Sequence, residues 1–297
     1  MKKYKSDVYK SAQGEELLKE LYKKQLATIT VPYEEKMVET RFGKTHIVIY
    51  GNPNGKPVVG FHGGNSTNPY SLRTFTKHID MNKIKFIVPD TIGNIGFSSD
   101  NKISSSNSDY GKWACDIIDA LGLEKVVVFG GSYGGGIAIR LATYAPERIE
   151  RLMLIIPSGI ANSKFFQMLK IALPTIGYML HPTSDEKLKK AVLSMSPVVN
   201  DDFLEMIKLS ILNTKFEMAM PRNAKKKELV GLKAPVYIIA EEHDILFPGE
   251  AVIARSKRIF SNLVGTKLLS LGGHGMFLLE EETHYDFYNT ITDFLLS

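Results

Sequence analysis

Val126-Val127-Val128-Phe129-Gly130-Gly131-Ser132-Tyr133-Gly134-Gly135-Gly136-Ile137-Ala138-Ile139-Arg140-Leu141 decides the fold. A β-branched run leads into a Gly-x-Ser-x-Gly pentapeptide and then, without a gap, into an apolar-periodic segment. The order reads as strand, tight turn and helix, with Ser132 at the apex. Gly130 and Gly134 stand two residues to either side and lack the Cβ atoms that would keep strand and helix apart. Such a turn holds the serine in a strained conformation and pushes its Oγ out of the fold. A bare Gly-x-Ser-x-Gly arises by chance in about one chain in ten of this length, at a glycine usage of about 7%. The flanking strand and helix carry the specificity. A glycine-rich phosphate-binding turn would want G-x-G-x-x-G and an acidic residue about 20 positions on. Here Gly134 to Gly136 fall inside the helix start, and the next strand, Arg151 to Ile156, ends in a proline. The nucleophile reading is the stronger.

Upstream, strands and helices alternate. Residues 11–27 read as an amphipathic helix with Leu17, Leu18, Leu21 and Tyr22 on one face, packed on the outside of the main body. Met37 to Phe42 and Thr45 to Tyr50 form a hairpin about Gly43-Lys44. Pro57 to Phe61 and Lys85 to Pro89 are buried strands, with helices over Ser71 to Ile79 and Tyr110 to Leu121. This alternation implies a mostly parallel central sheet with helices on both faces. It stops at Ser158. From there to Ala224 the pattern is helical and irregular, and six of the eleven methionines lie there: Met168, Met179, Met195, Met206, Met218 and Met220. Unbranched thioethers fill irregular apolar gaps, so this stretch suits a substrate-covering lid, although most of its apolar side chains are expected to be ordinary helix packing. Pro235 to Ala240, the helix Ala251 to Phe260, the strand Thr266 to Leu271 and the helix Tyr285 to Leu296 complete the chain. The expected organisation is therefore residues 1–157 and 225–297 as an α/β core, with 158–224 an inserted helical cap.

The chemistry follows from what a serine needs. A hydroxyl is a poor nucleophile at neutral pH until a base takes its proton. Histidine, with an unperturbed pKa of about 6.5, suits that task, and a carboxylate must hold its tautomer. Catalytic groups of an open parallel sheet gather beyond the carboxyl ends of the strands. Three loops qualify: the Ser132 turn, Glu241-Glu242-His243-Asp244, and Gly272-Gly273-His274-Gly275. Asp244 is preferred to Glu241 and Glu242 because Asp244 to Pro248 has the spacing of an Asp-x-x-x-Pro loop. His274 is preferred to His243, which directly precedes the acid, while His46, His78, His181 and His284 are read as structural or exposed. The order serine, acid, histidine is that of an α/β-hydrolase. His62-Gly63-Gly64-Asn65 ends an earlier strand, where glycine lets a substrate approach backbone donors. The N–H groups of Gly64, or the residue beside it, and of Tyr133 are the candidate oxyanion hole, with His62 structural. Asp90 reads as a brace for its loop.

Over nearly its whole length the chain resembles the α/β-hydrolase superfamily. The matching features are His62-Gly63-Gly64, Asp90-x-x-Gly93-x-Gly96-x-Ser98, the Gly130–Gly135 elbow, Asp244 with Pro248, and Gly273-His274. The leading helix and Thr40 to His46 resemble the carboxylesterase NP-type group. The elbow and Ala145-Pro146-Glu147-Arg148 are also similar to proline iminopeptidases. Those carry proline and glycine after His-Gly-Gly, where this chain has Asn65-Ser66, and it has no acidic Gly-Gly-Glu motif in the 158–224 segment. The resemblance implies a serine hydrolase acting on small to medium carboxylic esters, without metal or organic cofactor. Dehalogenase and epoxide hydrolase relatives place an aspartate where Ser132 stands. An amidase on the same machinery and a non-catalytic small-molecule receptor are the rival readings.

Composition narrows the partners. The net charge is +5, yet 37 basic and 32 acidic residues are interspersed, and the one tight basic cluster is Lys225-Lys226-Lys227. That is a solvated surface rather than a nucleic-acid groove. The single cysteine, Cys115, sits in a helix-period pattern as a small hydrophobe and offers neither a disulfide nor a metal framework. The N-terminus runs into polar sequence and no stretch approaches about 18 apolar residues, so neither signal peptide nor membrane span is expected. Cytoplasm is the expected compartment.

Overall fold

The computed structural model describes residues 4–196, 199–216, 219–270, 273–275 and 285–297. Leu271, Gly272, Met218 and His284, named above, lie outside these. Eight strands form one sheet: β1 (Tyr33–Thr40), β2 (Gly43–Gly51), β3 (Lys56–Phe61), β4 (Ile84–Pro89), β5 (Val126–Gly131), β6 (Ile149–Ile155), β7 (Val236–Glu241) and β8 (Leu263–Leu269). Their spatial order is β1-β2-β4-β3-β5-β6-β7-β8. β2 runs antiparallel to both its neighbours, and β4, β3, β5, β6, β7 and β8 are mutually parallel. Helices α1 (Ala12–Leu26), α2 (Asn68–His78), α3 (Asp109–Ala120), α4 (Tyr133–Tyr144), α5 (Phe165–Leu180), α6 (Asp185–Leu193), α7 (Asp201–Asn213), α8 (Gly249–Ile259) and α9 (Tyr285–Leu296) surround it.

Successive residues of a strand point to opposite faces, and β5 shows the consequence. Val126 and Val128 enter one apolar core with Trp113 of α3, Ile137 of α4 and Val252 of α8. Val127 and Phe129 enter a second with Phe75 of α2 and Ile291 of α9. Both faces are thus covered, which is why the run reads as continuously apolar. Cys115 is buried in the first core, where burial raises its thiol pKa to about 11.

Two expectations need correction. The hairpin turns at Arg41-Phe42, with Thr40 opposite Gly43, not at Gly43-Lys44. Gly43 opens β2 with φ 123°, and β1 exposes most of its residues, so apolar alternation could not mark its end. The leading helix α1 packs on the main body with one face to solvent, as expected, but Leu17 is not on its buried face. Leu18 and Tyr22 are fully buried, while Leu17 is 38% exposed. Its buried face lies between the sheet body and α7. Gln25 accepts a hydrogen bond from Thr67 Oγ1 (2.5 Å) and donates to Met206 Sδ (3.8 Å), and Lys24 pairs with Glu205 at 3.1 Å. Ahead of it, Tyr9 bridges to Thr214, and the Lys215 N–H donates to the Val8 carbonyl at 2.7 Å.

Candidate active site

Ser132 sits between β5 and α4 with φ 51° and ψ −120°. The strain of a left-handed serine is offset by backbone hydrogen bonds on both its sides. Its N–H donates to Ile155 (3.0 Å), and its carbonyl accepts from the Gly135 and Ser158 N–H groups (3.0 Å each). A Cβ at Gly134 would fall onto the Phe61 carbonyl, so the close crossing of α4 over β3 requires glycine there. Among the described residues, the non-glycine positions with positive φ are Asn65, Ser132 and Ile156. All three line the cavities at this end of the sheet. Strain of this kind concentrates where a fold over-determines a functional geometry.

The two other predicted residues meet the serine there. The Ser132 hydroxyl lies 2.9 Å from His274 Nε2, and His274 Nδ1 lies 2.8 Å from Asp244 Oδ2. Asp244 is buried just beyond β7, and its second oxygen accepts the N–H groups of Leu246 (2.7 Å) and Phe247 (3.1 Å). The carboxylate therefore has partners for both oxygens and holds a fixed orientation. His274 is steadied from two more sides. The Phe247 ring meets it edge-on with centroids 5.4 Å apart, and the N–H of Gly275 donates to the Met195 carbonyl (3.2 Å). Gly273, with φ 112°, makes the turn into the histidine. Of the rejected alternatives, Glu241 is buried and accepts the His243 N–H at 2.7 Å, while His243 Nε2 lies 3.4 Å from the Ser270 hydroxyl.

Gly64 comes up beside Tyr133: a Cβ placed on it would stand 3.2 Å from Tyr133 Cβ. The next amide along the loop, that of Asn65, donates to Asn94 Oδ1 at 3.1 Å. His62 is fully buried, which lowers its pKa. Its Nε2 accepts the Thr91 N–H (3.1 Å), so Nδ1 carries the proton given to the Gly63 carbonyl (2.8 Å). A neutral histidine with both nitrogens engaged is a structural post for this loop.

Two cavities open on Ser132 and His274. One is walled by α2 and the loop before it, including Ser66, Ser71 and Arg73. The other is walled by Met168, Met195, Met206 and Met220, with Ile171, Ile207 and Phe216. Four of the six methionines of the 158–224 stretch thus line the cavity, and the same four pack against the apolar clusters. Met179 is exposed instead. Phe203, Ser66, Ser71 and Asn94 escaped the sequence reading. Phe203 sits in a helical pattern that does not tell a cavity wall from a packed face. A loop asparagine next to two glycines was the available hint of a left-handed turn at Asn65. Among the described residues no helix is long and apolar enough to cross a membrane.

Known proteins bear on this geometry. The chain is 24% identical to the carboxylesterase YbfK of Bacillus subtilis, with 88% of each chain covered. The crystal structure of naproxen esterase (carboxylesterase NP) from the same organism superposes with a TM-score of 0.80 at 20% identity, covering 96% of this chain and 99% of that one. A probable proline iminopeptidase of Leptolyngbya boryana is 30% identical over 44% of this chain and 41% of its own length. The model of the α/β hydrolase fold family matches residues 56–281, from β3 past His274. The chain belongs to the α/β hydrolase fold family.

Proposed function

We propose that the protein is a serine carboxylesterase in which Ser132 is the nucleophile, His274 the base and Asp244 its orienting acid. The observation that carries this reading is the continuous Asp244–His274–Ser132 chain of hydrogen bonds at 2.8 and 2.9 Å. Ser132 Oγ attacks the ester carbonyl as His274 Nε2 takes its proton, and Asp244 steadies the imidazolium formed. The N–H groups of Gly64 and Tyr133 receive the developing oxyanion; the Asn65 amide, already given to Asn94, favours Gly64 over its neighbour. His274 then returns the proton to the leaving alkoxide, and water, activated by the same histidine, releases the acid. Residues 158–224 act as a cap over the acyl-enzyme, and the core is formed by residues 1–157 and 225–297.

An ester is favoured over a peptide amine by the described cavity walls. They offer thioethers, rings, hydroxyls, histidine and Arg73, surroundings suited to a neutral carbonyl rather than a substrate ammonium. The named carboxylesterases similar to this chain over most of its length support the same choice. Hydrolysis of p-nitrophenyl butyrate against proline p-nitroanilide, beside Ser132→Ala, tests it. The butyrate is expected to be cleaved by the wild type alone, with covalent labelling by a fluorophosphonate lost in the variant. Preference for the anilide would turn the reading to an aminopeptidase. A folded protein that neither cleaves nor labels would turn it to a receptor.

A further inference from the structure

Two cavities meet at Ser132, and Phe203 is the bulky apolar side chain common to both. Both are bounded by Gly64, Ser66, Ser132, His274, Gly275 and Phe203. Away from that shared rim, the chamber at α5 and α7 is lined by thioether, branched aliphatic and aromatic groups, with Asn65 at its mouth and no ionic side chain. The chamber beside α2 is walled by Phe61, Leu72, Phe75, Phe129 and Ile156, but it alone adds the Ser71 hydroxyl to that of the shared Ser66, close to the reacting serine. Ser71 Oγ donates to Ser66 Oγ (3.1 Å), and Ser66 Oγ is directed to the Thr67 carbonyl (3.4 Å). The Ser71 proton is given to Ser66, so Ser71 Oγ presents its lone pairs to a ligand. A Cβ placed on Gly63 would stand 3.9 Å from Ser132 Cβ and 4.0 Å from Ser71 Oγ. Nucleophile and hydroxyl pair therefore flank one glycine, and a group a few atoms long spans them.

Phe203 is clamped in place between the chambers. Its ring stacks on Tyr70 with centroids 6.2 Å apart and planes 10° from parallel. The Arg73 guanidinium lies 4.8 Å over the same Tyr70 ring and pairs through Nη1 with Asp202, the residue next to Phe203, at 2.6 Å. Two adjacent residues of α7 are thus tied to two residues of α2. A ring so held acts as a wall that a ligand must fit around.

We infer that the preferred substrate is an unsymmetric ester, whose two arms leave the carbonyl on opposite sides of Phe203. One arm is apolar and bulky or flexible and fills the thioether chamber; the other is short and ends in a hydroxyl that donates to the Ser66–Ser71 pair. Esters of diols or polyols and esters of hydroxy acids share this chemistry. Phe203 and Ser71 are the specificity-determining residues. The inference rests on the esterase reading for the reacting bond alone, since the chambers bind whether or not the bond is cut.

The test uses isosteric pairs with the full chain. 2-Hydroxyethyl hexanoate is compared with propyl hexanoate, and hexyl glycolate with hexyl propanoate, by kcat/KM. In one pair the hydroxyl is expected to be worth about threefold to tenfold; the pair that shows it tells diol from hydroxy acid. Ser71→Ala is expected to bring that ratio to about one. Hexyl hexanoate, with two long arms, is expected to be a poor substrate of the wild type, and Phe203→Ala to improve its standing relative to propyl hexanoate by about tenfold. Phe203→Leu, which keeps an apolar side chain on α7, gives a smaller change in the same direction should the alanine variant fail to fold. Binding of the same esters to Ser132→Ala, by calorimetry, separates the two readings. Preferences in binding without turnover by the wild type would overturn the esterase reading and keep the chambers. Turnover with no hydroxyl preference in either pair, or with hexyl hexanoate unaffected by both Phe203 variants, would overturn the chambers and keep the esterase.

Discussion

Two histidine–aspartate pairs in this chain make nearly the same bond and differ in what meets the far nitrogen. His274 Nδ1 lies 2.8 Å from Asp244 Oδ2, and His46 Nδ1 lies 2.9 Å from Asp90 Oδ2. Both aspartates follow a parallel strand, both are buried, and both accept a backbone N–H, from Leu246 and Phe247 in one and from Phe97 in the other. At the far nitrogen the resemblance ends. His274 Nε2 faces the Ser132 hydroxyl on the cavity wall, whereas His46 Nε2 faces the Glu35 carboxylate at 3.0 Å. The Tyr22 hydroxyl takes the remaining Asp90 oxygen at 2.8 Å. A histidine between two carboxylates has its charged form favoured and serves as a brace. One between a carboxylate and an alcohol can accept a proton and return it. On the proposed reading, the location of the third group, not the His–Asp bond, separates chemistry from bracing.

The sharpest way to break this contrast is to exchange roles by mutation. Ser132→Ala, His274→Gln and Asp244→Asn are each expected to lower kcat for an activated ester by about 10⁴-fold or more, with the thermal unfolding transition kept. His46→Gln should leave kcat per folded molecule within about a few-fold of wild type, because the ring lines neither cavity at Ser132. Equal losses at the two histidines would end the distinction drawn here. Asp90→Asn is the converse experiment. It leaves His46 beside a neutral amide with only the half-exposed Glu35 as a charged partner, a cost expected to stay below the roughly 3–5 kcal/mol of a fully broken buried pair, read as a shift in the denaturation midpoint. Gly96 adds to the constraint. With φ 153° and room for no Cβ, which would lie 2.5 Å from Asp90 Oδ2, it lets the loop wrap the carboxylate.

The same contrast shows what could be read from sequence. Ser132, Asp244 and His274 were legible because each follows an apolar strand and the chemistry demands one of each type in that order. The sheet was legible because β5 and its neighbours are buried on both faces, so local pattern and tertiary role agree. Asp90 read correctly as a brace, but its partners did not, since His46, Glu35 and Tyr22 come from three separate elements. Leu17 and Leu18 show the limit most simply. Periodicity puts both on one apolar face of α1, while contact with α7 and the sheet body buries Leu18 and leaves Leu17 at 38% exposure. Leu18→Ala should therefore cost about 2–5 kcal/mol, and Leu17→Ala less than about 0.5 kcal/mol, by chemical denaturation. The Phe203 wall was hidden for a related reason: it is set by Tyr70 and Arg73 on α2, far along the chain.

The smallest expected effect is a pH dependence that belongs to the bracing pair alone. Burial disfavours the charged form of His46, but hydrogen bonds and charge from Asp90, and then from Glu35, outweigh it, so its pKa is raised above the ordinary value. In the unfolded chain the ring titrates at about 6.5. Below that pH both states hold the proton and the full stabilisation from the charged pair is present. As pH rises through the folded-state value the folded protein must lose a proton that the unfolded chain has already shed, and the contribution declines. His46→Gln, which has no ionisable ring, should therefore cost more stability at pH 5.5 than at pH 9, measured as the difference in urea midpoint from wild type at each pH. An increase in the cost of His46→Gln with rising pH would mean that the ring is neutral in the fold. His46 would then resemble His62, which accepts one N–H and donates to one carbonyl.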